Sequence, residues 1–191
     1  MKTTTLLIPA LFLLTGWAAV SAQTQFPIAS ESRMWIDGTS NVHDWTCDVG
    51  VVEGFVESDE LWNVVAEITV PISSIECKNG KMDKKLQDAL KAEDHPTISF
   101  VADSIAVTGD PDAPEIVLAV TGRLTVAGTT RVVKMIVTST ELPGAGYRLT
   151  GELPVSMKDF NVKPPRAMLG LIKTGKEVKV RFEIIVSPPQ T

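Results

Sequence analysis

The sequence predicts an all-β, mainly antiparallel fold: an eight-stranded barrel with one short helix covering part of it. Three observations carry this. First, apolar and polar residues alternate with a period of two in short runs, as in Trp62, Val64, Ala66, Ile68 and Val70 against Asn63, Val65, Glu67 and Thr69. Second, helical spacing is strong in one stretch alone, residues 82–91, where Met82, Leu86, Ala89 and Leu90 share a stripe. Third, eight strands with one apolar face each must hide their edges, and closing the sheet does so. A two-sheet sandwich is the structural alternative.

Taken in order, residues 1–22 read as a secretory signal: Lys2, an apolar run from Leu6 to Val20, and a small-x-small site at Val20-Ser21-Ala22, with cleavage after Ala22. The run is short for a membrane span, an uncleaved anchor being the alternative. The expected location is therefore periplasmic or secreted. Residues 23–191 form one domain, long enough to bury a sizeable core.

Gln23 to Ser30 reads as a polar lead-in. Strand one is Ser32–Asp37. Asp37-Gly38 and Thr39-Ser40-Asn41 make a turn, and the chain re-enters a strand through His43-Asp44-Trp45. Strand two is Trp45–Val56, with a bulge suggested at Glu53-Gly54. Glu57-Ser58-Asp59-Glu60 is the turn into strand three, Leu61–Val70, which Pro71 ends. Ser73 to Gly80 is irregular. The helix over 82–91 stops before His95-Pro96, because the residue before proline disfavours the α region. Strands four to eight are Thr97–Val107, Glu115–Val126, Arg131–Thr140, Tyr147–Met157 and Glu177–Ser187, separated by Gly- and Pro-rich connections.

Composition excludes some partners. With 18 Lys and Arg against 23 Asp and Glu, the formal charge is −5, and loss of Lys2 with the leader makes the rest more acidic still. That argues against nucleic acid and against a broad electrostatic grip on anionic membranes. Cys47 and Cys77 are an even pair in an exported chain, so a disulfide is expected, with buried free thiols as the alternative. A hairpin turning at Ser58-Asp59 would pair Cys47 near Val70, with Cys77 just beyond.

Catalytic signals are weak. There is no Gly-x-Ser-x-Gly, Gly-x-Gly-x-x-Gly or phosphate-binding loop. His43 and Asp44 are sequence neighbours; on a strand they would face opposite sides and could not pair directly. They read as rim residues that bond the turn backbone. No metal spacing links His43, Asp44, Cys47, Cys77 and His95. The inward stripe points instead to an apolar interior: Trp45, Trp62, Val64, Ala66, Ile68, Ile98, Phe100, Leu149, Leu153, Val180, Phe182 and Ile184. Side chains filling that interior are the alternative to a ligand space. Ala66, Ala102, Ala119, Gly122 and Gly151 are small residues that would leave room.

Four segments bear on family. Gly38-Thr39-Ser40-Asn41-Val42-His43-Asp44-Trp45, His95-Pro96-Thr97-Ile98-Ser99-Phe100, Gly122-Arg123-Leu124-Thr125-Val126-Ala127-Gly128-Thr129-Thr130-Arg131-Val132-Val133 and Asp159-Phe160 together resemble the motifs of the YceI-like family. The resemblance implies a lipocalin-like barrel that binds polyisoprenoids or similar lipids, and adds Phe160 to the candidate ligand contacts. The stretch 157–170, with Pro164-Pro165, departs from members characterised as isoprenoid binders. The expectation is an exported, non-enzymatic protein holding a long-chain isoprenoid, such as a quinone or polyprenyl lipid, with no metal and no cofactor other than such a quinone as ligand. Lys78, Lys81, Lys84, Lys85, Arg131, Lys163 and Arg166 are the candidates to meet an anionic head group. The alternatives are a packed barrel acting as an interaction or stress-protective module, and a partner of a membrane electron carrier. Transient contact with the membrane fits either lipid-linked reading; monomer and homodimer stay open.

Overall fold

The computed structural model describes residues 24–58, 64–167 and 171–188. The proposed leader and Trp62 lie outside them. The described chain is all-β and antiparallel with one short helix. Its strands are β1 (Thr24–Pro27), β2 (Arg33–Ser40), β3 (Trp45–Val49), β4 (Glu53–Ser58), β5 (Val64–Pro71), β6 (Ile75–Glu76), β7 (Thr97–Val107), β8 (Glu115–Val126), β9 (Thr129–Leu142), β10 (Gly146–Ser156), β11 (Arg166–Ala167) and β12 (Ile172–Val186). The helix is α1 (Gly80–Ala89), and 3₁₀ turns occupy Ile72–Ser74 and Met157–Phe160.

Eight strands is therefore a miscount. Hydrogen bonds join eleven segments in the order β1-β4-β5-β7-β8-β9-β10-β12-β2-β3-β6, with β11 paired to β12 off this path. The result is a curled half-barrel whose path ends at β1 and β6. The extra segments have identifiable origins. Strand two is broken at 50–52, just before the expected bulge, into β3 and β4. Gly54 then takes a positive φ of 135° against the Glu67 carbonyl, where a side chain would collide. Strand three likewise resumes past Pro71 and a 3₁₀ turn as β6, inside the stretch expected to be irregular. The polar lead-in contributes β1, and Ile28 just beyond it bridges Val186 of β12. β12 starts at Ile172 and carries a bulge between Thr174 and Val178.

The hairpin register also differs from expectation. Ser58 pairs with Val64 and Glu53 with Thr69, so the β4–β5 connection lies between Ser58 and Val64, past the centre of the expected turn. Asp48 pairs with Glu76, and one more step along that register sets Cys47 opposite Cys77. The two form a disulfide across 30 residues of chain.

Two strands keep their expected bounds, β7 and β8. Pro96 opens the first, and Ala127 and Gly128 close the second in a two-residue hairpin with φ of 49° and 76°, the positive-φ turn that suits strand twist. The His95 ring lies over Gly128, leaving no space for a Cβ there. The helix begins slightly earlier than its apolar stripe. The Asn79 side chain caps it by accepting from the Lys81 amide at 3.0 Å. Asp83 in its first turn accepts from the Cys77 amide at 2.6 Å, which fixes the helix to the disulfide.

Buried side chains fall into two groups. The larger gathers at the α1 end of the curl around Cys47, Ile72, Ile75, Leu90 and Phe160; the smaller is Ala66, Ala102, Val120 and Val137.

Candidate ligand-binding cavity

The inward faces of the strands enclose a cavity of about 1150 Å³, slightly above the roughly 300–1,000 Å³ of ordinary small-molecule pockets. Its wall is the period-two stripe of each strand: Met34 and Ile36 of β2, Trp45 and Val49 of β3, Val64, Ala66, Ile68 and Val70 of β5, Ile98 and Phe100 of β7, Leu149, Leu153 and Val155 of β10, Val180, Phe182 and Ile184 of β12. Every predicted lining residue within the described chain is there, Phe160 and His43 included. Asp44 is not. Residues missed from sequence include Phe26 and Ile28 from the supposed lead-in, and Met135 and Val137 of β9. The alternation of β9 would have found the last two; nothing periodic marks the first two.

The aromatic rings do not fill the space. Trp45 lies on Gly38, its register partner, and its Nε1–H donates to the Thr39 carbonyl at 3.1 Å. Phe182 lies on its partner Gly151, and Phe100 on Gly122. A Cβ at any of the three glycines would collide with the ring above it, at 2.5 and 2.6 Å for Gly122 and Gly151 and closer still for Gly38. Gly122 and Gly151 were expected to leave room, and that is corrected: each is a seat for a ring. Seating each ring on a glycine draws it toward the wall, and the cavity stays open between the strands. Gly122 also faces the bulge between Ala102 and Ser104, the bend that its position suggested. Ala66 does border the cavity, while Ala119 is not part of its wall.

The cavity has two unlike ends. At one, His43, Asn79, Lys81 and Lys85 border it beside α1; at the other, Phe26 meets Tyr147 edge to face at 6.3 Å, near Val107. Val107 borders the cavity yet is 53% exposed, so apolar surface reaches solvent at this end. Pro165 also lines the wall, and its carbonyl accepts from the Thr174 amide at 3.3 Å, so the double proline belongs to the cavity border.

The rim turn is held by its own polar groups. Ser40 Oγ donates to the His43 carbonyl at 2.7 Å and accepts from the amides of Val42 and His43. His43 and Asp44 sit in this turn rather than on a strand. The His43 ring contacts the main-chain carbonyl of Asp44 at 2.8 Å, so Nδ1 carries the donating hydrogen. Among the described residues no group of three or more His, Cys, Asp or Glu side chains is placed to hold a metal. Outside the barrel, Arg181 binds Asp37 through two nitrogens and stacks over Trp35 at 5.2 Å. The Arg181 hydrogen bond holds the Asp37 carboxyl below its usual range despite an opposing contribution from burial, and the Thr46 hydroxyl adds to the lowering.

Fold and cavity together define a class: antiparallel barrel-type proteins with an apolar interior. The sequence narrows it. Residues 23–186 match the YceI-like domain, and the chain belongs to that family. Among solved structures, BcnA of Burkholderia cenocepacia superposes with a TM-score of 0.68 at 19% identity, over 81% of this chain and 96% of that one. A polyisoprenoid-binding domain from Saccharophagus degradans gives 0.69 at 13% identity, over 88% and 100%. The Campylobacter jejuni YceI protein gives 0.57 at 15%, over 76% and 85%. At these identities the likeness is one of fold. No curated protein matches the chain significantly.

Proposed function

We propose that this protein is an exported, non-enzymatic carrier that holds a polyisoprenoid or similar long-chain lipid, a quinone or polyprenyl lipid among them, inside the barrel. The cavity of about 1150 Å³ with its apolar wall is the observation that carries the reading. Burying a hydrocarbon chain in such a wall stabilises by roughly 25 cal/mol per Å² of apolar surface removed from water, without any covalent step. A solved protein of the same fold is a polyisoprenoid-binding domain, which supports the class of ligand. The Cys47–Cys77 disulfide fits an oxidising compartment, and no described helix is long and apolar enough to cross a membrane. Carriage of this kind implies transient contact with a membrane or a membrane electron carrier at loading.

Native mass spectrometry of protein purified from its own periplasm, followed by organic extraction, tests the proposal. The expected result is a stoichiometric long-chain lipid released on unfolding. An empty protein that also refuses added quinones and polyprenyl phosphates would overturn it and favour the interaction-module alternative.

A further inference from the structure

Charge around the cavity is distributed in one direction. Acids outnumber bases 23 to 18 in this chain, yet among the described residues no aspartate or glutamate lines the cavity. Its charged lining residues are Lys81 and Lys85. They lie one helical turn apart on α1, beside Met82 and Leu86 of its cavity-facing stripe. Both are exposed. The methylene stem of a lysine can lie along apolar surface while its charge stays at the rim. Among the described residues, none that lines the opposite end, around Phe26, Val107 and Tyr147, is charged. Of the seven basic residues the sequence offered for a head group, Lys78, Lys84, Arg131 and Lys163 are not on the cavity.

We propose that the cavity selects amphiphiles with an anionic head, a carboxylate or a phosphate monoester, and holds them with the head at Lys81 and Lys85 and the tail running toward Phe26 and Tyr147. This rests on the lipid-carrier reading and deepens it. The apolar wall binds the tail of a neutral or an anionic lipid alike. Only an anion gains at the rim, where its charge stays partly hydrated and meets two cations. An anion drawn deeper would lose that hydration with no partner to replace it, so the rim also sets which way round the ligand lies.

The test compares ligands matched in tail and differing in head: oleate against oleyl alcohol, and geranylgeranyl phosphate against geranylgeraniol, by displacement of a fluorescent lipid from the full chain. The anion of each pair is expected to bind about tenfold tighter, the scale of two partly exposed charge pairs. The advantage should vanish in K81M/K85M, persist in K81R/K85R and shrink as salt is raised. Equal binding within both pairs, or an advantage untouched by K81M/K85M in a variant of unchanged circular dichroism, overturns the head-group proposal and leaves the carrier reading standing. Failure of all four ligands to bind overturns both. Inorganic phosphate should not compete; displacement by it at ligand concentrations would mean a free-anion site and would overturn the proposal as well.

Discussion

The two ends of the barrel are built for different tasks. At the α1 end, Ile72 and Ile75 are 0% and 1% exposed, the disulfide ties β3 to β6, and Phe160 is packed beneath the 3₁₀ turn. Toward the Tyr147 end, the buried cluster is Ala66, Ala102, Val120 and Val137, small side chains of which Ala66, Val120 and Val137 border the cavity. Both clusters border the cavity, but the first backs its wall with large side chains such as Ile72, Ile75 and Phe160, whereas the second is a thin layer of small ones. Stability is thus concentrated where the wall is thickest.

That contrast predicts unequal costs. Phe160→Ala removes a fully packed ring and should destabilise by about 3–5 kcal/mol, against about 1–2 kcal/mol for Val137→Ala, whose lost methyls border space already open. Urea denaturation of the two variants reads the difference, and equal costs would erase the distinction between the ends. Removing the disulfide as Cys47→Ala with Cys77→Ala should cost about 3–4 kcal/mol for a loop of 30 residues, and the wild type under reductant should show the same loss. Gly151→Ala should cost about 1–3 kcal/mol by unseating Phe182. Its signature is a change in ligand binding as well as in melting temperature, since the ring must swing into the lumen. Ala66→Trp should weaken lipid binding about tenfold or more by displacing apolar contact area, with a smaller effect on stability because its bulk grows into open space. The smallest effect is on the outer wall. Asp37 is paired to Arg181 but partly exposed, so Asp37→Asn should cost at most about 1 kcal/mol. Its folded-state pKa is lowered, so this contribution is present above the usual carboxylate pKa of about 3.9 and lost as pH falls through the lower folded value. Stability difference against pH between wild type and variant should be flat at neutral pH and close in acid.

Much of this was legible from residues alone, and the reasons are local. β7 and β8 announce themselves because their alternation is bounded by Pro96, the Gly109–Pro114 loop and Gly128. Most lining residues follow from the same alternation, since a strand's two faces are set by its own sequence. What escaped depends on partners far along the chain. The break between β3 and β4 and the resumption at β6 follow from how two strands pair over their whole length. The hairpin register was misplaced because Glu57–Glu60 is the more polar stretch, while the pairing centres further on. Phe26 and Ile28 join the wall through β4 and β12, not through any pattern of their own. The glycine seats are likewise invisible without the partner strand. Seven basic residues looked equivalent as head-group contacts until α1 was placed against the lumen.

The covalent tie between Cys47 and Cys77 bears on when the lumen comes into being. Without it, β3 and β6 must find each other across 30 residues of intervening chain, and contacts between distant segments are slow to form because loop entropy is lost before they are made. Once the bond exists, those strands are chain neighbours and the pairing that builds the wall at the α1 end becomes a short-range event. Formation of the cavity wall is thereby linked to oxidation of the two cysteines. On the proposed carrier reading, a chain that has not yet reached an oxidising compartment lacks the shortcut, so its chamber forms late, where the lipids of that compartment are at hand.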